Sequence, residues 1–186
     1  MLSLNHVSFA YDDTPVLQDV SLTVPDTGAV CLFGASGCGK TTLLRLLAGL
    51  EVPTAGQVYR PENLRVAMVF QENRLLPWLT VRQNVELVTA DRDAVDAALA
   101  AVSLSDAAED YPAALSGGMQ RRVALARALA YGGDVLLLDE PFNGLDDTLK
   151  SHIAAAFREH FSHGAIVLVT HLKEEAALFD AAILSF

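Results

Sequence analysis

Basic residues, cysteines and long apolar runs are all scarce in this sequence, and each shortage excludes a class of protein. The 186 residues include 13 Lys and Arg against 23 Asp and Glu, which gives a formal net charge of −10. This acidity argues against nucleic acid as a partner and against direct adsorption to an anionic membrane. The two cysteines form neither a CxxC pair nor a zinc-binding pattern, so no zinc site is predicted.

The apolar segments are short. The longest, such as VLLL before Asp139 and AIVLV from Ala165, have the length of a strand, far below the ~18 residues of a membrane span. The first residues, MLSLNHVSFAY, lack the basic and apolar regions of a signal peptide. We therefore expect a cytoplasmic protein whose contact with any membrane runs through a protein partner.

What the sequence does contain is a regular alternation of apolar strands and helices. This alternation predicts one α/β domain over residues 1–186, with a parallel sheet covered on both faces. We expect a core of about residues 1–71 and 129–186 that begins with an antiparallel β part. Residues 72–128 are expected to form an inserted helical subdomain.

A glycine-rich turn lies between an apolar strand and a helix. Residues 34–41, GASGCGKT, fit the phosphate-binding pattern GxxxxGK[ST] in the context that the pattern requires. Backbone amides can curl around a polyphosphate there, Lys40 should reach the β- and γ-phosphates, and Thr41 should ligate Mg²⁺. This predicts a P-loop NTPase core that binds a nucleotide and Mg²⁺. The expected nucleotide-binding residues of the turn are Gly34, Ala35, Ser36, Gly37, Cys38, Gly39, Lys40, Thr41 and Thr42.

Other polar side chains follow apolar strands. DVLLLDEPF delivers two carboxylates to the carboxyl end of a strand, where ligands bind in open α/β sheets. Asp139 suits a magnesium-linked role, and Glu140 suits activation of the attacking water. Gln71 and His171 also follow apolar strands, but each is a weak signal alone, and a lone histidine is more often structural.

A second candidate anion site occurs in LSGGMQRRVALARAL, residues 115–129. Ser116 should cap the first turn of a helix, and Gly117 and Gly118 would let a ligand approach the backbone closely. One chain with a strong phosphate site near residue 40 has no evident need for this one.

The motifs GASGCGKT, Gln71, LSGGMQ, LLLDE, GLD and His171 together resemble the nucleotide-binding subunit of ATP-binding cassette (ABC) transporters over nearly the whole chain. The resemblance implies that two copies face each other head to tail, so that each chain completes the other's ATP site. In this arrangement the γ-phosphate held by one copy is covered by these signature residues of the other: Ser116, Gly117, Gly118 and Gln120.

The resemblance implies a P-loop NTPase (RecA-like) core, ATP as the nucleotide bound by the glycine turn, and further roles by position. Tyr11 is expected to stack on adenine, and Asp146 is expected to lie in the loop that crosses the dimer interface. Gln71 would link Mg²⁺ and the attacking water to the helical lobe, and His171 would contact the γ-phosphate beside Glu140.

The segment ENRLLPWLTVRQNV, after Gln71, is similar to the same segment in importers of nitrate, sulfonate and taurine. It implies that Leu75, Leu76 and Trp78 lie near a contact with an integral membrane permease. We therefore expect an ATPase subunit, peripheral on the inner face of the cell membrane, that powers an importer of a small solute.

Two departures and several alternatives remain at this point. Leu172 stands where relatives commonly have Asp, which leaves the orientation of that loop open. The sequence ends directly after its last predicted strand, so we expect no regulatory domain and a weak isolated dimer.

The alternatives are an ABC exporter subunit, an ABC ATPase for protein remodelling or assembly, a P-loop phosphotransferase and an ATP-gated scaffold. The LLPW segment argues against remodelling, LSGG against a phosphotransferase, and Glu140 against a scaffold.

Overall fold

A computed structural model describes residues 1–186 and contains two β-sheets. The first is antiparallel in the order β2-β1-β4 and consists of β1 (Ser3–Tyr11), β2 (Thr14–Thr23) and β4 (Ala55–Tyr59). The second is parallel in the order β5-β6-β7-β3-β8 and consists of β3 (Gly28–Phe33), β5 (Val66–Val69), β6 (Val135–Asp139), β7 (Ala165–Val169) and β8 (Ala182–Ser185). The predicted α/β class with an antiparallel N-terminal part is confirmed.

Six α-helices accompany the sheets: α1 (Lys40–Ala48), α2 (Val81–Glu86), α3 (Arg92–Ala101), α4 (Gly117–Tyr131), α5 (Asp147–His160) and α6 (Lys173–Leu178). Between β5 and β6 the chain forms only helices and two 3₁₀ turns, Ser105–Ala107 and Pro112–Ala114. Local sequence explains several helix ends. Gly49 ends α1 with a φ of +74°, and Thr80 and Gln83 form a capping box at the start of α2. None of the helices combines the length and the apolar character that crossing a membrane requires.

The central strands of the parallel sheet are buried on both faces because their residues alternate between two cores. On β6, Leu136 and Leu138 belong to a cluster with α3, α4 and α5, whereas Val135 and Leu137 belong to a cluster with α1 and the antiparallel sheet. Strand side chains point alternately to opposite faces, so an unbroken apolar run suits a strand covered on both.

The edge strand β8 differs from this pattern, since all four of its residues are exposed. The expectation of a sheet covered on both faces is therefore wrong at this edge. An edge strand has a neighbour on one side only, and here that neighbour is β3.

Candidate functional site

The glycine-rich turn connects β3 to α1, and its conformation requires glycine. Gly37 and Gly39 have φ values of +82° and +96°, a region that side chains disfavour. Gly39 is the N-cap of α1 and offers no side-chain cap, so the first backbone N–H groups of the helix remain available for an anion. A Cβ atom on Gly39 would also lie 2.6 Å from Cδ2 of Leu17.

Lys40 is the first residue of α1, and it is 8% exposed. Its Nζ donates hydrogen bonds to the carbonyl oxygens of Gly34 and Ala35, at 2.9 and 2.7 Å, and lies 3.5 Å from Sγ of Cys38. The turn therefore wraps around the ammonium group, which concentrates positive charge beside the free amides of the helix start.

A cavity of about 260 Å³ joins this turn to the carboxyl ends of the strands. Its lining residues are Val16, Ser36, Gly37, Gly39, Lys40, Thr41, Thr42, Gln71, Asp139, Glu140 and Val169. Nine of these eleven were singled out in the sequence, and the two that were not are Val16 and Val169. The structure thus brings the glycine turn, both carboxylates and Gln71 together at one site.

Asp139 ends β6 and is 2% exposed, and its Oδ2 atom has no hydrogen-bond partner. Burial raises the pKa of Asp139, although a hydrogen bond from Thr41 and the charge of Arg121 oppose the rise. A buried carboxylate oxygen without a partner, in a cavity with a hydroxyl and an amide, suits a divalent cation. Mg²⁺ in particular uses one or two carboxylates together with phosphate oxygens. No group of three or more His, Cys, Asp or Glu side chains could hold a metal by itself.

Glu140 lies one residue past β6, and its φ is +44°, which is unusual for a residue other than glycine. Its backbone N–H donates to the carbonyl oxygen of Val169 at 2.9 Å. One carboxylate oxygen, Oε1, is 3.6 Å from Nδ1 of His171, and the other accepts a hydrogen bond from the side chain of Asn143 at 3.1 Å. Strained backbone is typical of sites where a reacting group must be aimed.

The loop that carries His171 is held by its neighbours. Oγ1 of the buried Thr170 donates to Oε2 of Glu175 at 2.6 Å and accepts from the backbone N–H of Leu172 at 3.1 Å. Lys150 lies 3.3 Å from the other oxygen of Glu175. Leu172 does not cap α6 with its side chain, so Thr170 supplies the local hydrogen bond and settles the orientation that the sequence left open.

Tyr11 does not line the cavity. Its ring packs edge-on against Phe9 with centroids 4.8 Å apart, and its hydroxyl accepts a hydrogen bond from Arg45 at 3.2 Å and lies 3.5 Å from Glu51. These contacts hold one half-exposed aromatic face near α1, the helix that starts at the glycine turn.

The signature residues also lie outside the cavity. Ser116 is the N-cap of α4, as predicted, and its hydroxyl accepts a hydrogen bond from the N–H of Met119 at 3.2 Å. A Cβ atom on Gly117 would meet nothing within 4 Å, whereas one on Gly118 would lie 2.9 Å from the carbonyl oxygen of Gly144. The start of α4 therefore packs on one side against its own chain and is open on the other.

Two further predicted residues are engaged within the chain. Asp146 is the N-cap of α5 and accepts a hydrogen bond from the N–H of Leu149 at 3.0 Å. The side-chain amide of Gln120 donates to the carbonyl oxygens of Pro112 and Leu115, at 3.0 and 3.5 Å. Their roles toward a second chain stay predictions.

The sequence reading missed three residues that shape the site. Arg121 lies inside a recognised motif, but only the fold brings its guanidinium to the loops of Gln71 and Glu140. Asn143 lies between two recognised motifs, three residues after Glu140, and the loop directs its amide to the carboxylate. Val16 lies on β2 and reaches the cavity from the antiparallel sheet. No local sequence signal identifies the long-range contacts of Arg121 and Val16.

Comparison with known proteins identifies the family. The family model described as ABC transporter matches residues 17–143. This chain belongs to the ABC transporter family. The matched region includes the glycine turn, the start of α4 and Glu140, so the ABC domain contains every part of the cavity that carries charge.

Two relatives are similar over nearly the whole chain. The aliphatic sulfonates import ATP-binding protein SsuB 1 of Paracoccus denitrificans (strain Pd 1222) is 45% identical over 190 residues, which cover 98% of this chain and 78% of the relative. The aliphatic sulfonates import ATP-binding protein SsuB of Escherichia coli (strain K12) is 45% identical over 198 residues, with coverage of 98% and 76%.

Solved structures agree with the fold. A dimeric post-hydrolysis state of the ATP-binding cassette MJ0796, bound to ADP and Pi, matches with a TM-score of 0.90 at 29% identity over 100% of this chain and 94% of that one. A bacterial Atm1-family ABC exporter with ATP bound gives 0.91 at 26% identity, over 100% of this chain and 37% of that one. The ABC domain is thus an ATPase of the P-loop class, as the sequence predicted.

Proposed function

We propose that this chain hydrolyses ATP as one half of a head-to-tail homodimer and thereby powers a membrane permease that imports a small solute. The observation that carries the proposal is the single cavity in which Lys40 and Thr41 face Asp139 and Glu140. The relatives are named as import proteins for aliphatic sulfonates, which makes organic sulfonates the first solutes to test.

The chemistry divides among the cavity residues. Lys40 and the amides of the glycine turn bind the phosphates. Thr41, Gln71 and Asp139 would hold Mg²⁺, which would supply positive charge against the phosphate oxygens. Glu140 takes the proton of the attacking water, and His171 contacts the γ-phosphate next to it. Tyr11, outside the cavity, stacks on the adenine.

A second copy supplies what the cavity lacks. Ser116 and Gly117 lie outside the cavity of their own chain, and Gly117 has open space beside it, which supports a role toward a nucleotide bound by another chain. The side chain of Gln120 donates to the carbonyl oxygen of Pro112, just before this helix start. Free amides at a helix N-terminus attract a phosphate, so each ATP joins two chains. Asp146 would lie in the loop between them, and loss of the γ-phosphate would weaken the dimer.

The permease contact is proposed at the apolar patch Leu75, Leu76 and Trp78. Buried Asn84 holds this loop, because its side chain accepts from the N–H of Leu76 at 2.9 Å and donates to the carbonyl oxygens of Leu76, Leu79 and Thr80. Trp78 is nevertheless 68% exposed. Residues 72–74, just before the patch in the sequence, line an apolar groove of about 370 Å³. Large exposed aromatic side chains and apolar grooves are both typical of interfaces.

The proposal also assigns a place and a division of the chain. The helical segment 72–128 would move as a subdomain against the core of residues 1–71 and 129–186. Because the permease contact lies in that segment, the chain would sit on the inner face of the cell membrane through its permease.

Hydrolysis and dimer formation test the proposal together. Glu140→Gln keeps the size of the side chain and removes its basicity, so MgATP should produce a stable dimer that releases phosphate very slowly. Adding Ser116→Ala to Glu140→Gln should weaken the dimer while each chain still binds ATP. The proposal would be wrong if Glu140→Gln hydrolysed ATP at the wild-type rate, or if the wild-type chain hydrolysed ATP at full rate as a monomer.

The permease contact is tested separately. Trp78→Ala should leave the ATPase rate of the isolated chain unchanged and reduce solute uptake by the reconstituted transporter. Leu87→Ala is a matched control, since Leu87 is also a large exposed apolar residue of the helical segment, 53% exposed. Wild-type uptake and wild-type stimulation of the ATPase by the permease in Trp78→Ala would remove Trp78 from the contact.

A further inference from the structure

Arg121 lies in the second turn of α4 and is only 2% exposed. Its guanidinium donates hydrogen bonds to five backbone carbonyl oxygens, those of Phe70, Gln71, Asp139, Glu140 and Pro141. The contacts to Gln71, Asp139, Glu140 and Pro141 measure 3.2, 2.9, 2.8 and 2.7 Å. A guanidinium group has five N–H donors in a rigid plane. Arg121 therefore makes five hydrogen bonds to the backbone of two loops of the ATP site.

This arrangement is unusual for a residue that only fills space. Arg121 forms no ion pair at close range, and burial lowers its pKa to about 10, against the opposing charges of Asp139 and Glu140. It remains charged at neutral pH. Burying a charge without a paired carboxylate is unfavourable unless every donor is satisfied, and here backbone carbonyls satisfy all of them.

The hydrogen bonds of Arg121 link two loops that carry different functional side chains. One loop carries Gln71 and follows β5, and the other carries Glu140 and follows β6. Glu140 has its strained φ of +44° at the point where Arg121 holds its carbonyl oxygen. A planar donor set fixes the separation of the two loops, because each carbonyl must point at its own N–H.

The same helix begins at the signature residues. Gly117 starts α4, and Arg121 follows four residues later, which is about one helical turn. A shift of the helix start toward a nucleotide would therefore move the guanidinium, and with it the loops of Gln71 and Glu140 that it holds.

We propose that Arg121 is a positioning residue that aligns the Gln71 and Glu140 loops of its own ATP site when the start of α4 closes over the partner's ATP. This inference rests on the proposed head-to-tail dimer. Arg121 touches neither nucleotide and acts only through the backbone of the two loops.

Arg127 provides a matched control on the same helix. Its guanidinium donates to the carbonyl oxygens of Asn73 and Arg74, at 2.5 and 3.0 Å. Burial lowers its pKa as well. Arg127 thus holds the segment after Gln71 but does not reach the Glu140 loop. Comparing its variant with that of Arg121 shows whether holding one loop is enough for hydrolysis or whether both loops must be aligned.

The first experiment compares Arg121→Gln, Arg121→Lys and Arg127→Gln with the wild type. ATP binding is measured per chain, and the rate of hydrolysis is divided by the number of chains that bind. We expect Arg121→Gln to lower kcat at least about tenfold, the effect of about one lost charged hydrogen bond, with little change in the Kd for ATP. Arg121→Lys keeps the charge and should recover part of the rate, and Arg127→Gln should lose less than Arg121→Gln.

The second experiment uses mixed dimers in which one chain carries Glu140→Gln, so that both chains bind ATP but only the other chain hydrolyses it. With Arg121→Gln in the chain that hydrolyses ATP, hydrolysis should fall as in the homodimer. With Arg121→Gln in the Glu140→Gln chain, hydrolysis should stay within about threefold of the dimer without it, a difference below one hydrogen bond. A variant that merely distorts Ser116 would give the opposite pattern.

The outcomes separate this inference from the proposed function. Wild-type kcat per binding chain in Arg121→Gln, or loss confined to the opposite chain, would overturn the role of Arg121 and leave the dimer intact. If Arg121→Gln does not fold, Arg121→Lys decides by the same two measurements. A wild-type chain without ATPase activity would contradict the proposed function before any variant is compared.

Discussion

The side-chain amide of Asn143 donates a hydrogen bond of 3.1 Å to Oε2 of Glu140. Nδ1 of His171 lies 3.6 Å from the other oxygen, beyond hydrogen-bond distance, so the hydrogen bond from Asn143 orients the carboxylate. Asn143→Ala removes that hydrogen bond and should lower kcat by about three- to tenfold, the range of a single hydrogen bond, without changing ATP affinity. Steady-state kinetics with a binding titration measures both.

Two substitutions at the same position control this prediction. Asn143→Ser keeps a hydroxyl donor and should retain more activity than Asn143→Ala. Asn143→Asp places a second carboxylate beside Glu140 and should be the least active. An alanine variant as fast as the wild type would mean that His171 and the backbone orient Glu140 without help.

Thr170 should stabilise the loop that carries His171. Thr170→Val keeps the shape of the buried side chain but leaves Oε2 of Glu175 and the N–H of Leu172 without their partner. We expect a loss of about 1–3 kcal/mol in the free energy of unfolding, as for other buried groups left unpaired, measured by urea denaturation. Thr170→Ser retains the hydroxyl and should be close to the wild type. Equal stability of the valine and serine variants would contradict the prediction.

Asp139 is expected to trade stability for function. Burial raises its pKa, so the ionised form is disfavoured in the folded chain, and this penalty applies at a pH above its folded value and disappears in acid. Without nucleotide and Mg²⁺, Asp139→Asn should therefore unfold at higher urea concentration near neutral pH, with a smaller gain in acid. The same variant should lose Mg²⁺-dependent hydrolysis. A lower unfolding midpoint near neutral pH would show that the carboxylate is stabilised by its neighbours instead.

Much of this site can be predicted from the sequence, because many of its features depend on residues that are close in the chain. The glycine turn and the cap at Ser116 depend on neighbours within a few residues, and each is where the sequence predicts it. Arg121 was missed because its partners lie across the fold. Asn143 is only three residues from Glu140, but the sequence does not show that its amide points at the carboxylate. The exposure of β8 was missed as well, since an apolar strand has the same sequence pattern at the centre and at the edge of a sheet.

The two cysteines should differ in reactivity. Cys31 is fully buried in β3, and burial raises the pKa of its thiol, so it should remain unmodified in the folded chain. Cys38 is half-buried, with its Sγ 3.5 Å from Nζ of Lys40. A maleimide should therefore label one thiol per chain and block ATP binding, and MgATP should protect. Full activity after labelling of Cys38 would contradict this.

Gly117 and Gly118 should fail for different reasons when a methyl group is added. At Gly117 the new Cβ meets nothing within 4 Å in its own chain, so Gly117→Ala should fold and bind ATP like the wild type. Only the approach of a partner's phosphate is obstructed. In the Glu140→Gln background, this variant should show weaker ATP-dependent dimerisation by analytical ultracentrifugation.

At Gly118 the new Cβ would lie 2.9 Å from the carbonyl oxygen of Gly144, which is backbone and cannot easily move. Gly118→Ala should therefore displace the loop before Asp146 and lower the unfolding midpoint of the isolated chain, before any dimer is formed. The two variants together distinguish a glycine that is required for contact with a second chain, Gly117, from one that is required for packing within its own chain, Gly118. Dimerisation of Gly117→Ala at wild-type affinity would mean that no nucleotide approaches this face of α4.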